Sequence, residues 1–230
     1  MRAPVTTLLV IAKEPRPGRA KTRLSPAFTP HGAAALAAAA LTDTLRAVLA
    51  TPAARRVLVL DGRPGPWLPG PEDGGDRIEI VPQGSGGLDA RLADAFALCD
   101  GPALLVGMDT PQLSPALLAP ATGPQAWRDH DACFGPAADG GFWALGLARP
   151  DPALLRGVPM STATTGAAQR ARLTEAGLRV RDLPVLRDVD EPDDAAAVAA
   201  EAPGSAFAAA HARLRDVPTS APGGPGAAPA

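Results

Sequence analysis

Several residue types are scarce in this chain, and each scarcity narrows what the protein can be. Among its 230 residues tyrosine is absent and aromatic residues make up only 3%, so the hydrophobic 46% predicts a core of leucine, valine and alanine. The formal net charge is −2. Because nucleic-acid-binding domains usually carry a marked basic excess, no nucleic-acid partner is expected.

The cysteines, histidines and apolar runs exclude further classes. Cys99 and Cys133 lie far apart without a CxxC spacing, which fits neither a zinc site nor a disulfide framework and indicates the reducing cytoplasm. No apolar run approaches the ~20 residues that span a bilayer, and the features of a signal peptide are missing, so no membrane association is expected. The three histidines form no spaced cluster and are expected at the surface: His31, His130 and His211.

Apolar segments of strand length alternate with longer helical segments along most of the chain. Strands are predicted at residues 6–11, 56–60, 77–81, 103–108, 132–134, 142–147 and 178–183. Helices are predicted at residues 30–50, 88–98, a short segment after Ser114, 164–176, 192–201 and 205–214, with Thr29 as the cap of the first and Gly177 as the left-handed end of the fourth. The alternation predicts one α/β domain over residues 1–216, with a mostly parallel central sheet and helices on both faces. The loops after residues 11, 81 and 108 are expected to converge at the carboxyl edge of this sheet. Residues 217–230 are proline, glycine, alanine and serine with few exceptions and are expected to form a disordered tail.

A basic loop follows the first predicted strand. Residues 1–28 contain six lysines or arginines and a single acid, Glu14, although the chain as a whole is slightly acidic. Two prolines and Gly18 restrict the shape of this loop, which favours an anion site at the strand end. Lys21 and Arg23 are candidate phosphate ligands and Lys13 a weaker one, with backbone N–H groups around Gly18 as further donors. The alternative is a solvated basic turn.

Two acidic segments follow later strands. Asp109 comes directly after the apolar fourth strand, at the carboxyl edge of the sheet, where it could hold Mg²⁺ together with ligand phosphates. A turn or helix-cap aspartate before Pro111 is the alternative. Asp190 lies in a run of five acids within residues 188–194 and could reach the metal from the opposite side. Taken alone, the run is better explained as an acidic helix start, in which Glu191, Asp193 and Asp194 suit capping roles.

Two glycine-rich loops complete the set of candidate sites. In residues 134–142, Asp139 precedes two glycines that allow a ligand to approach the backbone closely, while a simple β-turn explains the same pattern. In residues 83–91, a glycine loop meets a helix start, so Gly87 and Arg91 could border an anion or a nucleotide base. Neither loop, nor the basic loop, has a Rossmann or P-loop spacing.

The order of these motifs resembles a known family. Lys13-x-Pro-x-x-Gly-x-x-Lys-Thr-Arg-Leu24, Gly107-x-Asp-x-Pro111, Gly135-Pro-x-x-Asp-Gly-Gly-Phe142 and Asp188-Val-Asp-x-Pro-x-Asp194 are similar to motifs of a glycosyltransferase-A (GT-A) superfamily of nucleotide-diphospho-sugar transferases. The chain also resembles phospholactate guanylyltransferase and the molybdenum-cofactor nucleotidyltransferases. The resemblance implies a GT-A fold over residues 5–200, a first loop that wraps nucleotide phosphates and includes Thr22, and Mg²⁺ or Mn²⁺ on Asp109 and Asp190.

The sequence departs from the family pattern at the positions that would meet the acceptor. Phe142 stands where tyrosine is usual, and Met160 where tryptophan often precedes Ser161-Thr162. The resemblance predicts a transferase that joins part of a nucleotide or nucleotide-sugar to a small-molecule acceptor. Glycosyl transfer, with Asp139 as base or as an acceptor-orienting residue, is favoured narrowly over nucleotidyl transfer, and a non-catalytic nucleotide-binding module is the third alternative. The sequence predicts no oligomeric state.

Overall fold

The computed structural model describes residues 6–123 and 125–215, which form one seven-stranded sheet flanked by helices. The strands are β1 (Thr7–Lys13), β2 (Arg55–Asp61), β3 (Glu79–Pro82), β4 (Ala103–Val106), β5 (Ala132–Pro136), β6 (Phe142–Leu147) and β7 (Val180–Asp182). Their order in the sheet is β3-β2-β1-β4-β6-β5-β7. Only β6 runs antiparallel to its neighbours, so the prediction of a mostly parallel α/β sheet is confirmed.

Local sequence signals set the ends of the main helices. The helices are α1 (Pro30–Ala50), α2 (Leu88–Phe96), α3 (Pro115–Thr122), α4 (Thr165–Glu175), α5 (Pro192–Glu201) and α6 (Ala206–Arg215). At the start of α1, the Gly32 N–H donates to Thr29 Oγ1 at 3.1 Å, which is the predicted cap. Just beyond α4, Gly177 adopts φ +77°, a left-handed conformation in which glycine is unstrained.

The sheet is covered on both faces because its central strands alternate between two hydrophobic clusters. In β1, Leu8 and Val10 pack with Leu41 of α1, while Leu9 points to the opposite face and packs with Phe96 of α2. This is the period-two alternation of a strand buried on both sides. A third cluster, around Phe207, joins the first helix to α5 and α6.

Helix α1 corrects the expectation that no segment is apolar enough to span a bilayer. It has 21 residues and passes that test by length and composition, because alanine dominates it. Within the fold, 61% of its most apolar window is buried. Its apolar character is therefore explained by packing between the sheet and α6.

Other details of the structure differ from the sequence predictions. Strand β4 ends at Val106 rather than at residue 108, so the chain leaves the sheet two residues earlier. His130 and His211 are 6% exposed, against the expectation of a surface position, because they pack against aromatic rings. Residues 217–230, which are predicted to form a disordered tail, lie outside the described residues.

Candidate active site

A cavity of about 960 Å³ opens at the carboxyl edge of the sheet, where the loops after β1, β3 and β4 converge as predicted. Most of the predicted site residues line it: Lys13, Lys21, Thr22, Arg23, Gly87, Arg91, Asp109, Asp139 and Asp190. Gly18 does not line the cavity; it provides a left-handed turn (φ +73°) before the part of the loop that does.

The basic loop is fixed by one apolar anchor. Leu24 is fully buried in the third hydrophobic cluster together with Val189, so the loop is tied to the acidic segment across the cavity. Just before this anchor, Lys21 adopts φ +52°, a left-handed conformation that is uncommon for a residue with a side chain. The side chain of Lys21 is 8% exposed and points into the cavity.

Lys21 joins the two predicted metal-binding acids. Its Nζ lies 2.9 Å from Asp109 Oδ1 and 2.9 Å from Asp190 Oδ1. Burial alone lowers the pKa of this ammonium, but the two carboxylates outweigh burial and raise the pKa above its ordinary value. Arg23 makes a weaker contact, 3.5 Å from Asp190 Oδ2, and its side chain is 73% exposed. The sequence predicts both cations as phosphate ligands, and in the structure both contact carboxylates.

Hydrogen bonds to backbone carbonyl oxygens hold the two acidic segments together. The Val189 N–H donates to the Asp109 carbonyl oxygen at 3.1 Å, and the Gln112 side-chain Nε2 donates to the Arg187 carbonyl oxygen at 2.9 Å. Asp188, which lies between Arg187 and Val189 in the chain, is thereby held in the same pocket.

Asp188 has the most perturbed carboxyl group at this edge. Burial and, after it, the like charges of Asp109 and Asp139 raise its pKa to about 7, while the charge of Lys21 opposes them. The shift shows that Asp188 is desolvated and lies close to other carboxylates. Divalent cations bind to such groups of carboxylate oxygens.

The chemistry of this donor set fits a magnesium or manganese ion. One oxygen of Asp109 and one of Asp190 lie no more than 5.8 Å apart (2 × 2.9 Å), because both contact the same Nζ. The Thr110 hydroxyl, buried next to Asp109, has no hydrogen-bond partner among the described residues. Those residues contain no preformed cluster of three His, Cys, Asp or Glu side chains. Two carboxylates suit Mg²⁺, which completes its coordination with water and phosphate oxygens.

The glycine loop after β3 is held by Arg91. Its Nε donates to the Gly86 carbonyl oxygen at 3.0 Å, and its Nη1 lies 3.3 Å from Asp61 Oδ2 and 3.4 Å from Gln83 Oε1. Gln83 Nε2 in turn donates to the Ala12 carbonyl oxygen at 2.7 Å. These contacts tie the loop to the ends of β1 and β2, so its rim of the cavity has a defined shape.

The turn between β5 and β6 forms the opposite rim. Asp139 is exposed, and its Oδ1 accepts a hydrogen bond from the Gly141 N–H at 2.8 Å, so the β-turn alternative is also realised. Gly140 has φ +88° and its carbonyl oxygen accepts from the Gly166 N–H of α4 at 2.8 Å. The turn is thus docked on the start of α4.

Sequence reasoning singled out the main site residues but missed Asp188 and Gln83. Asp188 belongs to the acidic run that was noticed, yet only its burial beside other acids distinguishes it from the capping residues. Asp194 does have the expected capping role, because its Oδ2 accepts from the Glu191 N–H at 3.0 Å. Gln83 is the last residue before the glycine loop, and that position was its only signal.

Similarity to known proteins shows the family to which this chain belongs. Residues 44–162, more than half of the chain, match the family described as "Uncharacterized protein conserved in bacteria (DUF2064)". The chain belongs to the DUF2064 family. This DUF2064 protein is 37% identical over 185 residues to a protein of Streptosporangium roseum named phosphoenolpyruvate guanylyltransferase, an alignment that covers 76% of the chain and 77% of that relative. It is therefore a transferase, as the sequence predicts.

Solved structures support the fold of the DUF2064 chain. A putative nucleotide-diphospho-sugar transferase from Desulfovibrio desulfuricans G20 superposes with a TM-score of 0.75 at 24% identity, covering 92% of this chain and 94% of that one. A nucleotidyl transferase from Methanothermobacter thermautotrophicus gives a TM-score of 0.52 at 19% identity, covering 84% and 95%. The predicted nucleotide-diphospho-sugar transferase fold is confirmed.

Proposed function

We propose that this protein is a metal-dependent nucleotidyltransferase that joins a nucleoside monophosphate unit to a small phosphorylated acid. The observation that carries the proposal is the cluster of Lys21, Asp109 and Asp190 at the edge of a nucleotide-sized cavity. The relative named phosphoenolpyruvate guanylyltransferase supports the choice of GTP as donor and phosphoenolpyruvate, or a similar phosphorylated carboxylic acid, as acceptor.

In this proposal Asp109 and Asp190 would hold the divalent cation, which would supply positive charge to the departing pyrophosphate. Asp188 lies close to both acids in the same pocket.

The remaining lining residues divide between the donor and the acceptor. Lys21, Arg23 and, at the strand end, Lys13 are the cations that we assign to the triphosphate, with Thr22 beside them. We assign the loop at Gly87, on the far side of the cavity, to the base and ribose. Arg91 fixes the position of this loop by donating to the Gly86 carbonyl oxygen.

The reaction needs no strong base. An oxygen of the acceptor phosphate, already anionic, attacks the α-phosphorus of the triphosphate; the bond from that phosphorus to the bridging oxygen of the β-phosphate breaks, and pyrophosphate leaves with the electron pair. Asp139 is exposed, and one of its oxygens is used by the Gly141 N–H. In the described part of the chain no histidine lines the cavity. These facts suit an anionic nucleophile better than a sugar hydroxyl, which needs a base, so we assign Asp139 to orienting the acceptor.

A product assay separates the three functions that the sequence allows. Purified protein with Mg²⁺ or Mn²⁺ is given each nucleoside triphosphate with phosphoenolpyruvate, and in parallel nucleotide-sugars with sugar or alcohol acceptors. Pyrophosphate release that depends on acceptor and metal is the expected result. Release of nucleoside diphosphate from a nucleotide-sugar would replace nucleotidyl by glycosyl transfer. Nucleotide binding without either product would favour the non-catalytic module.

The cytoplasmic location stays a prediction. The two cysteines are free and Cys133 is buried, where desolvation raises the pKa of its thiol to about 12. An inert buried thiol agrees with the expected cytoplasmic location but does not test it. Size-exclusion chromatography coupled to light scattering would give the oligomeric state, for which neither sequence nor fold makes a prediction.

A further inference from the structure

The Lys21 ammonium occupies the position between the two carboxylates that the proposed function assigns to the metal. Its Nζ contacts one oxygen of Asp109 and one of Asp190 at the same distance, 2.9 Å, and 8% of the side chain is exposed. This buried ammonium therefore neutralises part of the negative charge of the two carboxylates. The left-handed backbone at Lys21 directs the side chain inward from the loop.

A divalent cation cannot share this position with the ammonium. Mg²⁺ binds carboxylate oxygens at about 2.0–2.1 Å, so an ion that bridges Asp109 Oδ1 and Asp190 Oδ1 from the side of Lys21 would overlap the space that the Lys21 Nζ occupies. Two cations side by side also repel each other. Metal binding therefore requires Lys21 to leave, and a displaced, desolvated ammonium needs another anion.

We propose that Lys21 and the divalent cation are alternative occupants of the Asp109–Asp190 pair, and that nucleotide phosphates accept the displaced ammonium. The inference rests on the proposed function, since it takes those two acids as the metal ligands. Its consequence is that metal and nucleotide bind with positive cooperativity: each is weak alone, because only together do they provide both a cation for the carboxylates and an anion for Lys21.

Arg23 provides a matched control within the same loop. It carries the same charge two residues further on, but it contacts only Asp190, at 3.5 Å, and its side chain is 73% exposed. Removing Arg23 lowers the charge of the loop by the same amount without emptying the position between the acids. A general electrostatic effect would be similar in the two variants, whereas displacement is specific to Lys21.

The first experiment measures Mn²⁺ binding without nucleotide, by the electron paramagnetic resonance signal of free Mn²⁺, in wild type, Lys21→Met and Arg23→Met. An opposite charge in contact shifts ionic equilibria at a carboxylate by one to three orders of magnitude, so we expect Lys21→Met to bind Mn²⁺ about tenfold or more tightly than wild type. Arg23→Met should change the affinity by less than about threefold. Adding GTP should tighten Mn²⁺ binding in wild type and much less in Lys21→Met.

The second experiment uses the native chain and so does not depend on the folding of a variant. The sequence has only two lysines, and Lys13, which is exposed, serves as an internal reference for Lys21. Trace acetylation followed by peptide mass spectrometry gives the ratio of the two reactivities. We expect Lys21 to be protected without metal and more reactive when Mn²⁺ alone is added at saturating concentration.

The outcomes separate the inference from the function on which it rests. Equal Mn²⁺ affinities in Lys21→Met and Arg23→Met, or Lys21 labelling that saturating Mn²⁺ leaves unchanged, would overturn the exchange while leaving the metal-dependent reaction intact. Failure of all three proteins to bind Mn²⁺ even with GTP would overturn the proposed metal site itself. Both contradicting results come from binding and labelling measurements, so neither requires the enzyme to turn over substrate.

Discussion

The two edges of the sheet treat charge in opposite ways. At the amino edge, two acids each pair with one arginine: Arg55 donates to both oxygens of Glu79, at 2.9 and 2.8 Å, and Arg179 donates to both oxygens of Asp131. These pairs are local and their charges cancel. Exposed pairs of this kind stabilise a fold slightly and do nothing else.

At the carboxyl edge, one ammonium is shared between acids. Of the six acids that line the cavity, Asp109 and Asp190 both contact the Lys21 Nζ, and Asp188 lies close to them. The pKa of Asp188 rises to about 7 under burial and the charge of its neighbours, whereas the hydrogen bonds that Arg179 donates lower the pKa of Asp131 to about 2. Aspartate is therefore part of a local ion pair at the amino edge and part of a shared charge cluster at the carboxyl edge, where the proposed function places the ligand.

The sharpest test of this contrast replaces one aspartate at each edge by asparagine. Asp109→Asn should lower turnover by about a hundredfold or more, because a metal-binding carboxylate is lost at the reacting phosphate. Asp131→Asn is the matched control and should keep wild-type turnover. Circular dichroism checks that both variants fold. Near-normal turnover of Asp109→Asn that still requires metal would remove this residue from the mechanism.

The turn between β5 and β6 should be sensitive to a single methyl group. Gly140 has φ +88°, and a Cβ there would overlap the Ala163 carbonyl oxygen, whereas Gly177, at φ +77°, has open space. We expect Gly140→Ala to lower the free energy of unfolding by about 1–3 kcal/mol more than Gly177→Ala, and to weaken acceptor use because Asp139 moves with the turn. Urea unfolding and the acceptor KM are the measurements. Equal losses in the two variants would mean that the turn relaxes freely.

Removing the clamp on the glycine loop should affect nucleotide affinity. Arg91→Ala loses three contacts of the loop with the strand ends, and we expect the nucleotide KM to rise about tenfold with a smaller change in kcat. Arg156→Ala is the control, because Arg156 pairs at 2.7 Å with Asp94 of α2, the helix that carries Arg91, but lies outside the cavity lining. If both variants raise the nucleotide KM equally, α2 as a whole and not the loop is responsible.

The smallest expected effect is on stability at the amino edge. The folded-state pKa of Asp131, about 2, lies below its ordinary value of 3.8, so the pair with Arg179 stabilises above that value and is lost as the pH falls towards 2. The free energy of unfolding of Asp131→Asn should be lower than that of wild type by under about 1 kcal/mol at pH 7. In urea titrations, this difference should shrink as the pH is lowered. A difference that stays constant with pH would exclude the ion pair as its cause.

Much of the fold follows from local signals in the sequence. The cap at Thr29, the left-handed Gly177 and the alternation of apolar segments predict helix ends and a mostly parallel sheet because each reflects chemistry within a few residues. The direction of β6 could not be predicted in this way. Its side chains alternate identically in either direction, and only its partners in the sheet make it antiparallel.

For the site, the sequence predicts which residues line the cavity better than what each one contacts. Asp109 and Lys21 were both identified from their positions at strand ends. Lys21 and Asp109 are 88 positions apart in the chain (109 − 21), and Lys21 and Asp190 are 169 positions apart. Both ion pairs therefore depend on tertiary structure alone. The pKa shift of Asp188 has the same origin, because burial and neighbouring charge come from three separate segments.

The reversed strand β6 makes the two rims of the cavity differ in how they can evolve. The rim that we assign to the nucleotide is assembled from loops after β1, β3 and β4, so changing it means coordinating distant parts of the gene. The opposite rim includes a single hairpin turn between Pro136 and Phe142, which closes without a crossover helix. That turn is encoded by a few adjacent codons. Acceptor preference can therefore diversify among relatives while the nucleotide-handling machinery stays in place.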